Sequence, residues 1–221
     1  RTAELIKYAS NAFLATKISF VNEIANMCNS WSIDFKKVAE GMGLDSRISP
    51  LFLRAGAGFG GSCFPKDVKA LAAASKTSKV ESKILDAALE VNESQPLIIV
   101  EMARERLGVL KGKKITVLGL AFKPDTDDIR ESRSEVVIRK LVDEGAIVTG
   151  HDPEAMQNFR EIMDIEMAVT SMEAIDEADC LILMTEWQEY INLDYKLIKE
   201  KMSGNVVIDG RRAFDYAQME E

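Results

Sequence analysis

The 221-residue chain is poor in the residues that build metal and disulfide chemistry, with one histidine and three cysteines. Without a second histidine there is no histidine cluster, and three thiols lacking paired or metal-type spacing give neither a disulfide framework nor a zinc site. No metal is expected, and thiols left unpaired follow the pattern of a cytoplasmic protein. Cations are outnumbered, 28 against 36 anions for a net charge of -8. Such a chain has no basic face with which to neutralise nucleic-acid phosphates, so no nucleic-acid partner is expected. No stretch approaches the roughly 18 uninterrupted apolar residues of a membrane span, and Arg1-Thr2-Ala3-Glu4 does not read as a signal peptide. Neither membrane insertion nor secretion is expected. No Gly-x-Gly-x-x-Gly fingerprint of the usual dinucleotide site is read anywhere in the chain.

What the chain does have is a crowded turn. Between Gly56 and Gly61 four of six residues are glycine, and Ser62-Cys63-Phe64-Pro65-Lys66-Asp67 follows. Glycines admit close backbone approach to a ligand, and Pro65 suits the first turn of a helix through Leu71. Cys63 then stands just before a helix N-terminus, near Lys66, a setting that favours a thiolate nucleophile. The plainer alternative is a small buried residue. Cys28 lies in a helical apolar pattern and Cys180 in the strand-like run Cys180 to Met184, and both are expected in cores.

Periodicity divides the chain. Leu5, Ile6, Ala9, Ala12, Phe13, Phe20, Ile24, Met27 and Cys28 recur at helical spacing with no proline or glycine between them, predicting one long helix over 3–31. Asp34 reads as the cap of a short helix that stops at Gly41-Met42-Gly43. An irregular stretch from about 45 to 64 precedes a helix over 66–75. A further long helix over 80–107 is expected to be interrupted or bent at Pro96. Beyond Gly108 strand-like runs at 115–119, 146–150, 180–184 and 206–209 alternate with helical stretches at 134–144, 155–163, 172–177 and 193–202. Strands alternating with helices predict a parallel sheet covered on both faces. The fold class is therefore α/β: an all-helical domain, 1–107, followed by a Rossmann-like, doubly wound, largely parallel sheet domain, 108–221.

Three further groups carry chemistry. Lys7 and Asn11, four residues apart, share one face of the first helix, where an ammonium and an amide can stabilise an oxyanion and orient water, or simply meet solvent. Gly119 to Ser132 follows a predicted strand, at the carboxyl end where doubly wound sheets bind nucleotides. Asp209-Gly210-Arg211-Arg212 ends another strand, with guanidinium forks suited to a diphosphate. Arg47, Arg54, Lys66, Lys123 and Arg130 add loop cations on an acidic chain, which suggests a small anionic ligand. His151 before Asp152-Pro153 reads as a turn residue, and Trp187 as packing.

Together these motifs resemble the nucleotide-sugar 6-dehydrogenases that oxidise UDP-glucose, GDP-mannose or UDP-N-acetylmannosamine. Glu4 to Phe13 looks like the start of that family's central helical domain, Gly58 to Asp67 like its catalytic cysteine loop, and Gly119 to Ser132 with Asp209 to Arg212 like its nucleotide-sugar domain. Asp45 to Ile48 and Phe52 to Ala55 most resemble the UDP-glucose branch. The resemblance implies a homodimer through the helical domain, NAD as cofactor and a UDP-sugar as substrate. It implies that Cys63 is the nucleophile, that Lys7 stabilises oxyanions, and that Asn11 with Asp67 holds and activates water. Arg47, Phe52, Arg54, Gly60, Phe64, Phe122, Lys123 and Arg211 would contact substrate, with Arg47 reaching the partner's sugar, while Lys66 and Arg130 would face the cofactor. Against the family's three-part enzymes, the chain begins at the second part, and the amino-terminal NAD-binding domain is expected to be absent from it. Other expectations left open are a GDP-mannose or UDP-N-acetylhexosamine substrate, or a noncatalytic dimeric module that binds nucleotide sugars.

Overall fold

The computed structural model describes residues 1–219. The chain forms two compact units, Arg1–Gln95 and a second that begins at Pro96.

The first unit is helical: α1 (Thr2–Ser30), α2 (Phe35–Gly43), α3 (Phe64–Thr77) and the first part of α4 (Lys83–Leu107). Along α1 the residues turned inward are small, with Ala12, Ala15, Ser19, Asn22, Ala25 and Cys28 all buried. Ala12 and Ala15 pack with Phe59 and Val68, the latter on α3. Val21, Ala25 and Cys28 pack with Phe35, Leu53 and Ala55. Small residues on that face let neighbouring backbone come close. Asp34 caps α2 as expected, its carboxylate accepting from the Lys36 N–H.

The helix expected over 80–107 starts later and does not break. Val80 belongs to the close of α3, its N–H donating to the Ser75 carbonyl. The α4 start is fixed by Ser82, whose hydroxyl meets Asp86 at 3.1 Å while its carbonyl accepts the Asp86 N–H. Pro96 lies inside a continuous helix; it brings no N–H to the Asn92 carbonyl, yet its neighbours hold helical geometry. The two units divide here rather than at the sequence change near Gly108. The turns beyond Pro96 belong with the sheet, where Ile99 approaches Gly210 and Arg104 pairs with Glu144 at 2.7 Å.

The second unit continues with β1 (Lys114–Leu118), α5 (Arg133–Asp143), β2 (Ile147–His151), α6 (Met156–Arg160), β3 (Glu166–Met167), α7 (Ser171–Ile175), β4 (Cys180–Leu183), α8 (Gln188–Ile191), α9 (Tyr195–Lys201), β5 (Val206–Asp209) and α10 (Tyr216–Met219). The five strands are all parallel, in the order β3-β2-β1-β4-β5. β1 pairs on both sides, Thr116 standing level with Thr149 and Leu181. Every residue of β4 is buried, as the continuous apolar run requires of a strand covered on both faces. Leu118, Leu181 and Leu183 join Ile175, Tyr190, Ile198 and Phe214 in one core. Cys180 is buried here and Cys28 in the first unit. β3, α8 and α10 were not expected from the sequence. Each is two to four residues long, too short to establish a period.

Candidate active site

In the first unit α1 and α3 bring three of the expected residues together around one carboxylate. Asp67, in the first turn of α3, is fully buried. Its Oδ2 accepts from Asn11 Nδ2 at 2.7 Å and lies 3.5 Å from Lys7 Nζ, both from the shared face of α1. Lys66 Nζ stands 3.8 Å from the other oxygen, Oδ1, which has no hydrogen-bond partner. A buried charge is tolerated when paired and hydrogen-bonded, and here two ammonium groups and one amide compensate it. The free acceptor on Oδ1 is what a water molecule needs. Cys63 is the N-cap residue of α3 and is exposed. Its carbonyl accepts the Asp67 N–H at 2.9 Å, so thiol and carboxylate sit one turn apart, at the positive end of the α3 dipole. Ser62 Oγ lies 3.8 Å from the sulfur.

The loop that delivers Cys63 is held by residues that sequence reasoning missed. Asn92 of α4 uses both halves of its amide on one residue: Oδ1 accepts the Phe59 N–H at 2.7 Å and Nδ2 donates to the Phe59 carbonyl at 3.1 Å. Asn22 of α1 accepts the Gly56 N–H at 2.7 Å. Both asparagines are buried. The signal available was a polar residue repeated inside an apolar helical pattern. Gly58 and Gly61 adopt φ of 103° and 81°, left-handed values that keep side chains out of these two positions. Gly56, Gly58 and Gly61 do have the Gly-x-Gly-x-x-Gly spacing, but no strand precedes them, so the dinucleotide context is missing. Phe64 packs on Phe52 and Phe59, ring centroids 6.1 Å apart in each pair, while Gly60 is half-buried. Lys17 of α1 donates to the carbonyls of Ile48 and Leu51 at 2.9 and 2.7 Å, tying down the preceding segment. On that segment Arg47 is exposed and clasps Asp45 at 2.6 Å, holding the Asp45 carboxyl below its usual range. Arg54 is exposed. Neither arginine joins the Asp67 cluster.

In the second unit the turn after β1 is closed on itself. The Gly119 N–H donates to the His151 carbonyl at 2.9 Å, and the N–H groups of Leu120 and Ala121 both donate to Asp152 Oδ2, at 2.7 and 3.0 Å. The carbonyls of Gly119, Leu120 and Ala121 accept from the hydroxyls of Ser134, Ser132 and Thr185 at 2.8, 2.7 and 2.6 Å. Gly119 is obligatory: with φ of +96°, a Cβ there would stand 2.5 Å from the Thr185 backbone nitrogen. Beyond it the N–H of half-buried Phe122 donates to the Asp128 carbonyl at 3.1 Å, and Lys123 is exposed, its Nζ 5.6 Å over the Phe122 ring. Arg211 turns inward, with Nε donating to the Met184 carbonyl, a terminal nitrogen 3.4 Å from the Phe122 carbonyl, and Glu186 3.5 Å away. Burial lowers the hold of this guanidinium on its proton, opposed by Glu186 and Asp209. The structure thus joins Phe122, Lys123 and Arg211, and Arg211 braces the loop. Arg130 is clasped by Asp128 at 2.7 Å, just after that loop. Trp187 is packing, as read, with its indole also donating to Asp152 at 3.1 Å. His151 is buried beside Tyr190, Nδ1 to hydroxyl 2.8 Å. Among the described residues no group of three or more metal-ligating side chains occurs, and no helix is long and apolar enough to cross a membrane.

This architecture has close counterparts. A family model described as the UDP-glucose/GDP-mannose dehydrogenase family, central domain, matches residues 1–94, and the same family's UDP binding domain matches 116–216. A UDP-glucose 6-dehydrogenase of Haloferax volcanii is 49% identical over 211 residues, covering 95% of this chain and 48% of the relative. One from Bacillus subtilis is 43% identical, covering 99% and 48%. A solved UDP-glucose dehydrogenase from Pyrobaculum islandicum superposes with a TM-score of 0.92 at 43% identity, over 99% of this chain and 49% of that one. The chain spans about half the length of the curated relatives it matches. The first matched region covers all but the last residue of the helical unit with its cysteine loop, the second covers most of the parallel-sheet unit, and the chain belongs to the UDP-glucose/GDP-mannose dehydrogenase family.

Proposed function

We propose that this chain is the central and nucleotide-sugar-binding part of an NAD-dependent UDP-glucose 6-dehydrogenase, an enzyme that oxidises the sugar's C6 alcohol to UDP-glucuronate. The observation that carries it is the Asp67 carboxylate, buried, clasped by Lys7 and Asn11, and one helical turn from an exposed cysteine. A pure binding module needs no such group. In this reading Cys63 is the nucleophile: its sulfur bonds to the C6 carbon of the aldehyde to give a thiohemiacetal held on the chain, whose oxidation to the thioester would require its C6 hydride to pass to NAD held elsewhere in the full-length polypeptide. Lys7 faces the oxyanion that develops at C6. Asn11 and Asp67 hold a water; as it attacks the thioester carbon, its proton passes to the carboxylate, the C–S bond breaks, and the acid leaves with Cys63 restored.

NAD, which the family reading brings as hydride acceptor, does not fit a seat in this chain. The turn after β1, Gly119 to Ala121, where a dinucleotide pyrophosphate would sit, has its Leu120 and Ala121 amides already taken by a carboxylate and its Gly119 amide by the His151 carbonyl. Lys66 and Arg130 are the residues offered toward a dinucleotide held elsewhere in the full-length polypeptide. Phe52, Arg54, Gly60 and Phe64 in the first unit, and Phe122, Lys123 and Arg211 in the second, are the substrate contacts proposed.

The assembly proposed is a homodimer through α1. Ile6, Phe13, Phe20 and Met27 lie seven residues apart on its outer side and are all exposed, an apolar seam with a heptad period that a copy of the same helix can cover. Thermal unfolding of the chain with UDP-glucose, UDP-N-acetylglucosamine, UDP-N-acetylmannosamine and GDP-mannose tests the substrate assignment, since a ligand bound only to the folded state raises the midpoint. UDP-glucose should give the largest rise, and a larger one with GDP-mannose would move the chain to another branch.

A further inference from the structure

In a doubly wound sheet the backbone N–H groups just after the first strand are the ones a phosphate meets. Here the N–H groups of Leu120 and Ala121 meet Asp152, which follows the neighbouring strand β2 and is completely buried. Its Oδ2 also accepts the Trp187 indole, and its Oδ1 accepts the N–H groups of Glu154 and Ala155 at 3.0 and 2.9 Å. Five donors converge on one carboxylate. Such convergence of N–H groups is what an anion-binding turn presents to a bound ion, and here the ion is part of the chain. We infer that Asp152 is an internal anion that fills the phosphate cradle of this sheet and acts as a positioning residue for the nucleotide site.

The consequence is directional. With every backbone polar group of Gly119, Leu120 and Ala121 internally bonded, a diphosphate has nothing to bind at the turn itself. The first residues that can meet a nucleotide are Phe122 and Lys123, whose backbone leaves the clamped segment in a fixed direction. One carboxylate therefore both excludes a dinucleotide from this sheet and presents the residues that take a UDP group. Replacing it by an amide turns a donor toward N–H groups on one side of the cluster or the other, and the clamp opens.

The inference rests on the UDP-binding reading, so its test has arms with and without UDP. The 221-residue chain is compared as wild type, Asp152→Asn and Asp152→Ala, by UDP titration calorimetry and by amide hydrogen exchange. In Asp152→Asn the Leu120 and Ala121 amides should exchange faster than in wild type while those of Ile115 to Val117 stay protected, and UDP affinity should fall roughly tenfold or more. In Asp152→Ala, added formate should raise the thermal midpoint and slow those two amides, with no such effect on wild type. Unchanged exchange at Leu120 and Ala121, or loss of protection spread evenly through β1 and β4 with UDP affinity intact, would overturn the assignment. So would absence of formate rescue. If wild type itself binds no UDP, the UDP reading fails, while exchange and formate still decide whether Asp152 is an internal anion. Should both Asp152 variants fail to fold, Thr185→Val, which frees only the Ala121 carbonyl, takes their place. A fall in UDP affinity then supports the clamp, and an unaltered one refutes it.

Discussion

Asp67 separates binding from turnover. Its Oδ2 is occupied by Asn11 and Lys7 whereas Oδ1 is buried without a hydrogen-bond partner, with Lys66 Nζ 3.8 Å away, so Asp67→Asn should leave the clasp partly in place yet remove the acceptor for a proton from water. In the full-length polypeptide containing this chain, hydrolysis should slow and an acyl adduct on Cys63 should build up during turnover. Intact-mass spectra without any adduct at any time would remove Asp67 from that step. Cys63→Ala, by contrast, should lower UDP-glucuronate formation by several orders of magnitude with UDP affinity nearly unchanged, because an exposed N-cap side chain supports no core. A second residue-scale effect comes from the only histidine. Burial pushes His151 below its ordinary value. The unfolded chain then takes up a proton near pH 6.5 that the folded chain resists, so stability is complete above that pH and is lost as pH falls toward the folded value. The thermal midpoint should drop between about pH 7 and pH 5.5, and His151→Gln should flatten that slope. A slope unchanged in the variant would assign it to carboxylates instead.

Among elements, α4 shows best what a loop costs to hold. Asn92→Ala leaves both the N–H and the carbonyl of Phe59 without their partner in a buried place. Each unsatisfied group costs about 1–3 kcal/mol, and the pair about 2–4 kcal/mol because the loop relaxes. Urea unfolding followed in the helical unit should show that loss, and a change below about 0.5 kcal/mol would mean that the loop finds other partners. The same element marks the boundary of what sequence reveals. The long helices were legible because their periods run for many turns, as were four of the five strands, since buried parallel strands are nearly continuous apolar runs. β3, with two residues, has no period to read. Pro96 read as an interruption or a bend because proline removes a helix donor; the helix is not interrupted, the flanking turns on either side supplying enough bonds to carry α4 past it. At the site, Lys7 and Asn11 were legible through their four-residue spacing and Asp67 through its place behind Cys63. Asn22, Asn92 and Asp152 were not: the asparagines left only a polar residue inside an apolar helical pattern, which does not say what it holds, and a carboxylate that holds backbone has the same appearance in sequence as one in solvent. Only the fold shows which N–H it faces.

For the whole molecule the governing fact is a helix with its small residues inward and its large ones outward. Ile6 is 63% exposed and Phe13 67%. Covering a large apolar side chain is worth about 1.5–3 kcal/mol, so Phe13→Asp with Phe20→Asp should leave a folded monomer by light scattering where the unaltered protein is a dimer. A dimer that survives both changes would place the contact on another face. The same interface bears on catalysis. Arg47 has 87% of its side chain exposed and, among the described residues, is clasped by Asp45 alone, on a segment that Lys17 ties to α1. A cation fixed to the proposed dimer helix, and absent from its own Asp67 cluster, is suited to serve the sugar of the partner subunit. Full-length Arg47→Ala and Cys63→Ala proteins should each be nearly inactive. After subunit exchange, verified by mass-tagged heterodimers, the mixture should regain one working site in each heterodimer, since one wild-type Arg47 and one wild-type Cys63 then meet. If exchange is complete and the mixture is no more active than its parents, Arg47 acts within its own subunit or not at all, and the interface carries assembly without chemistry.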